Sequence, residues 1–212
     1  MKFLQSLLLI LSIITGPKSA MGAQNTEGFR LVKQDGAISL YERWIAAAGG
    51  EKVREIKAVF MVHTTPTAVA DLLRNQARGT QWNINASTYR IIPLPDHNHW
   101  ITYIQYDIPW PVDDQDCCLS YHFEERQGNA GASVIAFEST THSQFPVSSK
   151  ITRITGTRGK WVLEEQQNGN VGITYLVTTD RNRKIPRWVS DPIIHDNLFK
   201  TMRKFKNILE GF

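Results

Sequence analysis

The stretch "YDIPWPVDDQDCC", residues 106–118, sets a Pro-Trp-Pro before three carboxylates and two thiols. Asp113, Asp114 and Asp116 are of the type that binds calcium or shares a proton in acid catalysis. Cys117 and Cys118 are of the type that binds soft metals or cycles between thiol and disulfide. The spacing argues against each reading. No glycine or paired glutamate follows the aspartates at the interval of an EF-hand loop. Adjacent cysteines on a strand point to opposite faces, so a bond between them would be strained. Pro109 and Pro111 cannot donate to a strand ladder and must end the strand. A rigid loop between two strands is therefore expected.

The remaining candidates for chemistry are scattered. His97 and His99 flank Asn98 beside Asp96, a spacing able to hold a metal at a strand edge, but a metal needs three or four convergent ligands. His63, His122, Glu138 and His195 are the acid–base candidates. On a period of two, His122 falls opposite Leu119, Tyr121 and Phe123, and Glu138 falls opposite Ile135 and Phe137, which puts both on an outer face. There is no G-x-S-x-G, H-E-x-x-H, phosphate-binding glycine loop or C-x-x-C. No metal and no cofactor are expected.

The elements that must position these residues read as α+β. Residues 29–45 form two extended segments joined at Asp35-Gly36, a hairpin turn pair, and 54–65 is a third strand. Thr65 caps a helix with Pro66 at its first position, Val69, Leu72 and Leu73 make its apolar stripe, and Gly79 closes it. Strands are expected at 87–93, 99–108, 116–125, 132–142, 159–166 and 171–179, with turns at Gly128-Asn129 and Asn168-Gly169. Asp191 and Pro192 open a long final helix carrying Ile194, Leu198, Met202, Phe205 and Leu209 at three- and four-residue steps. Strands, a helix, an antiparallel meander and a long helix make one curved sheet with the helix packed across it.

The N-terminus reads as a leader. Lys2 precedes a nearly continuous apolar run from Phe3 to Ile14, with small residues at Ala20, Gly22 and Ala23. That is a secretory signal peptide over residues 1–23, too short to span a membrane. Residues 24–212 then make one exported domain. Losing Lys2 and Lys18 lowers the formal charge from +4 to 4 − 2 = +2, too small a surplus for a nucleic-acid binder. A monomer is expected. The basic run "RNRKIPR" at 181–187, with Lys200, Arg203, Lys204 and Lys206, reads first as a solvated face. It also suits transient contact with an anionic membrane surface.

Several stretches resemble START domains, the lipid-transfer members of the helix-grip superfamily. "PWPVDDQD" resembles their proline-aromatic-proline…Asp signature, and "GFRLVKQDGAISLYER" their opening hairpin. "GKWVLEEQQNGNVGITYLVTTD" resembles their final hairpin, and "IPRWVSDPIIHDNLFKTMRKFKNIL" their C-terminal helix. Gln115 and Glu165 stand where the family usually has arginine and proline. Thr102 and Tyr121 stand where some members place a buried acid and arginine. The resemblance implies a curved sheet gripping the last helix, with a ligand chamber between them. Its lining is expected from Thr102, Ile104, Tyr106, Leu119, Tyr121, Ile135 and Phe137 of the sheet. The helix is expected to add Ile194, Asn197, Leu198, Thr201 and Phe205. The expected function is binding and transport of a hydrophobic molecule, a lipid or sterol-like compound. The alternative is an enzyme of the same superfamily, a cyclase, aromatase or hydrolase acting on such a molecule.

Overall fold

Gly36 adopts a left-handed φ of 56°, which a residue with a side chain resists, and so turns β1 (Arg30–Asp35) into β2 (Ile38–Ala46). This is a computed structural model, and it describes residues 28–46, 50–109, 113–126, 131–179 and 187–211. The leader, Gly128-Asn129 and the run 181–186 lie outside the described residues.

After β3 (Lys52–His63), the Thr65 hydroxyl accepts the Ala68 N–H at 3.1 Å and Pro66 opens α1 (Pro66–Leu73). Gly79 does not close that helix. The helix stops at Leu73, the Asn75 side chain accepts the Arg78 N–H, and Gly79 begins a second short helix, α2 (Gly79–Trp82). The glycine serves close approach instead, because a Cβ there would lie 2.0 Å from the Tyr89 ring.

The meander follows as β4 (Ala86–Pro93), β5 (His99–Tyr106), β6 (Gln115–Glu124) and β7 (Ser133–Ser139). Next come β8 (Thr152–Arg153), β9 (Arg158–Glu165) and β10 (Asn170–Thr178). Asn168 and Gly169, both at positive φ, make the β9–β10 turn. The strand β8, only two residues long and paired in parallel with β6, was beyond any periodic signal. The sheet order is β1-β2-β3-β10-β9-β7-β6-β5-β4, so the opening hairpin joins the end of the meander through β3 and β10.

The last helix, α3, runs Arg187–Leu209. It begins a turn earlier than Asp191-Pro192, and Pro192 sits inside it. A proline there removes one backbone donor. Asp191 is not its cap but reaches the sheet, 2.8 Å from Arg54. Phe199, Met202 and Phe205 of α3 are buried against the inner face of the sheet. That face shows the alternation expected of a sheet covered on one side: Trp100, Thr102 and Ile104 on β5, Cys117, Leu119, Tyr121 and Phe123 on β6, and Ile135 and Phe137 on β7 are all buried.

Candidate ligand chamber

Aromatic rings run continuously between sheet and helix. Phe205 of α3 contacts Trp82 at 5.0 Å between centroids and Trp161 at 4.9 Å. Trp161 meets Tyr175, Tyr175 meets Phe137, Phe137 meets Tyr121, and Tyr121 stacks on Trp100 at 5.1 Å. Ring pairs of this kind add stability beyond area burial alone and present flat apolar walls.

Polar atoms are set into those walls. Burial pushes the hydroxyls of Tyr89, Tyr106, Tyr121 and Tyr175 above the ordinary phenol value, and the Cys117 thiol to about 12. The Tyr106 hydroxyl accepts from Asn83 Nδ2 at 3.3 Å, and Tyr89 donates to the Leu73 carbonyl at 2.8 Å. Thr102 is fully buried beside Tyr89, yet its Oγ1 makes no hydrogen bond of good geometry among the described residues. The indole N–H groups of Trp82, Trp100 and Trp161 are likewise buried without partners there.

Exposure rises towards the N-terminal end of α3. Along α3, Phe205 is 0 % exposed, Thr201 8 %, Leu198 half-buried and Ile194 40 %. Along β10, Val171 and Ile173 are buried while Tyr175 and Val177 keep accessible surface, and along β5 the change falls between Ile104 and Tyr106. The ladders put these ends together: Val177 lies opposite both Gly159 and Ile56, and Ile56 opposite Glu42.

The expected lining residues are thus distributed unevenly. Those of β5, β6 and β7 share the inner face, and Leu198 and Phe205 lie over it. Asn197 is half-buried, and Ile194 is exposed where the helix reaches past the sealed core. Thr201 does not lack a protein partner, since its hydroxyl accepts the Ile84 N–H at 3.2 Å. Tyr175 and Trp161 were missed, although period two on their strands places them with Ile173 and Leu163. Trp82 sits in a four-residue helix that gives no period to read.

Two carboxylates of the Pro-Trp-Pro stretch, Asp114 and Asp116, do structural work. Asp116 is buried and receives Arg153 through two bonds, of 2.6 and 2.9 Å, and the Tyr103 hydroxyl at 3.0 Å. Asp114 accepts the Ile108 N–H at 3.0 Å. The histidines do not converge. His63 and Glu138 are exposed, and His99 pairs with Asp96 and stacks on His122 at the surface. Only His195 reaches the inner face, where Nε2 lies 3.0 Å from Glu42 Oε2. Lys200, Arg203 and Lys206 pair with Asp196, Asp35 and Glu210, which fits a solvated face. A hollow of about 420 Å³ lined by Gln76, Thr80, Tyr89 and Arg90 is wide open to solvent.

A curved antiparallel sheet closed over a long C-terminal helix defines the helix-grip class. The sequence pattern of the START domain matches residues 22–211, so the chain belongs to that family. It is 21 % identical over 184 residues to "uncharacterized protein PA1579" of Pseudomonas aeruginosa, covering 87 % of this chain and 88 % of that one. Its fold is similar to that of a STAR-related lipid transfer protein fragment from Xanthomonas axonopodis, with TM-score 0.73 and 21 % identity over 86 % of this chain and 98 % of the other. It is also similar to the Zhui aromatase/cyclase of a Streptomyces species, with TM-score 0.54 and 10 % identity over 74 % and 94 %.

Proposed function

We propose that the chain binds one hydrophobic molecule, a lipid or sterol-like compound, between its sheet and α3 and carries it through water. The observation behind this reading is the aromatic inner face under α3, in which Thr102 Oγ1 and the indole N–H groups of Trp82, Trp100 and Trp161 are buried without a hydrogen-bond partner among the described residues. Each buried methylene contributes about 0.8 kcal/mol, so apolar walls with a few hydroxyls suffice to hold a ligand. Release then needs movement of an element that covers the inner face rather than a reaction. Residues 1–23 serve as an export leader, and the basic C-terminal region touches anionic lipid during loading.

Native mass spectrometry of the purified protein, followed by organic extraction, tests the reading. A stoichiometric apolar molecule, returned chemically unchanged after prolonged incubation with the protein, is the expected result. Protein that emerges empty and takes up no lipid class offered would refute carriage. A ligand converted to product would replace it with catalysis.

A further inference from the structure

Five uncharged polar groups converge on the inner face of the sheet. The rings of Tyr121 and Tyr175 flank Phe137 at 5.3 and 5.8 Å between centroids. The hydroxyls of Tyr89, Tyr106 and Tyr175 and the Cys117 thiol all stand near enough to Tyr121 to act on its ionisation. Three of the five are answered by protein: Tyr89 by the Leu73 carbonyl, Tyr106 by Asn83, and Cys117 by Tyr106. The hydroxyls of Tyr121 and Tyr175 make no hydrogen bond among the described residues. Tyr121 is only 5 % exposed, and a buried phenol left without an acceptor is costly. Tyr106 and Tyr175 keep accessible surface, although burial dominates the surroundings of both hydroxyls. The inner-face residues from Trp100 to Tyr106 on β5, Cys117 to Phe123 on β6 and Val171 to Val177 on β10 are all uncharged. The charges that approach this face are matched: Glu42 with His195, Arg54 with Asp191, and Arg74, over the Trp100 ring, with Asp71.

Resting on the carriage reading above, we infer that the accessible surface of Tyr106 and Tyr175 faces an internal space, and that its occupant is an uncharged molecule whose oxygen accepts from the Tyr121 and Tyr175 hydroxyls. An ester, a ketone or an alcohol supplies such an oxygen. A carboxylate or a phosphate does not suit. Phenols can bond to it, but no unmatched cation among the described residues offsets the loss of water around a full charge. The rings of Trp100, Phe137 and Trp161 on the same face suit the apolar remainder. Phenylalanine in place of either tyrosine keeps that wall and deletes only the hydroxyl.

The test compares methyl laurate with laurate at pH 8, which share a tail and differ in charge, by the change in tryptophan emission of delipidated protein. Wild type should hold methyl laurate about tenfold or more tighter, since the anion must give up its water without a counter-charge. Tyr121→Phe and Tyr175→Phe should each weaken methyl laurate about fivefold, the loss of one neutral hydrogen bond. Urea denaturation without ligand keeps folding separate. Both variants should match wild type, whereas Tyr89→Phe, which loses its bond to the Leu73 carbonyl, should fall below it. Laurate bound as tightly as its ester overturns the inference, as do Phe variants that bind methyl laurate like wild type. A lowered urea midpoint in both Phe variants also overturns it, since their hydroxyls would then have protein partners. Failure of wild type to take up either probe would instead overturn the carriage reading itself.

Discussion

The Thr201 hydroxyl accepts a hydrogen bond from the Ile84 backbone N–H at 3.2 Å, tying α3 to the segment that links α2 to β4. The contact spans 117 residues and joins two elements that otherwise meet through the rings of Trp82 and Phe205. A threonine in the apolar stripe is thereby satisfied by protein, with no ligand required. Thr201→Trp should therefore be destabilising. An indole must displace the Ile84 segment and leaves its N–H unpaired, each effect costing about 1–3 kcal/mol. Urea denaturation should show a lower midpoint, and Thr201→Val should show a smaller part of the same loss.

Arg153 and Asp116 form a buried pair that holds the segment after β7 against β6, helped by the bond from Arg153 to the Phe145 carbonyl at 3.1 Å. Arg153→Met leaves a buried carboxylate without its counter-charge and should cost about 3–5 kcal/mol. The double variant Arg153→Met with Asp116→Leu should recover a large part of that loss, because no lone charge remains. Chemical denaturation of the three variants in parallel checks it. A double variant no better than Arg153→Met would mean the pair is needed for its shape and not for charge balance.

Asp196 sits on the surface of α3 between Lys200 and Lys33, whose bonds, Lys200 first, hold its carboxyl down at about 2. A depressed folded-state value means stability that is present above the unfolded value of about 3.9 and is lost as pH falls through about 2. The wild type should therefore melt above Asp196→Asn at neutral pH, and the gap should close between pH 4 and 2. Melting curves at stepped pH, at low salt so that screening does not hide the pairs, measure it.

Cys117 faces inward and Cys118 outward, and both are free and buried. Burial raises the Cys117 thiol to about 12, with the Asp116 charge adding to it, and raises Cys118 as well. At pH 8 Cys117 is therefore almost wholly the unreactive thiol. Native protein should leave a disulfide reagent such as Ellman's almost unreacted, and both thiols should react at once in denaturant. Rapid labelling of Cys117 in native protein would show that the inner face opens far more often than its packing implies.

Local chemistry and short-range period were enough to read the direction of the side chains. Alternation of apolar and polar residues on 99–108, 116–125 and 132–142 placed Tyr121 and Phe137 inward and His122 and Glu138 outward, because a strand turns each successive side chain over. Thr65 and Pro66 marked the start of α1, and Asp35-Gly36 and Asn168-Gly169 the two hairpin turns, since each acts through its own backbone. The order of elements was also enough to read the fold, as an antiparallel meander followed by a long helix has few ways to cover one face. What lay beyond that reading is contact between distant residues. Asp116 finds Arg153 across 37 positions, Glu42 finds His195 across 153, and Trp82 meets Phe205, and none of these has a spacing that local geometry prescribes. They exist only because β3 closes on β10 and brings the opening hairpin beneath α3. Which charges of β2 and β3 meet α3 was decided by that closure.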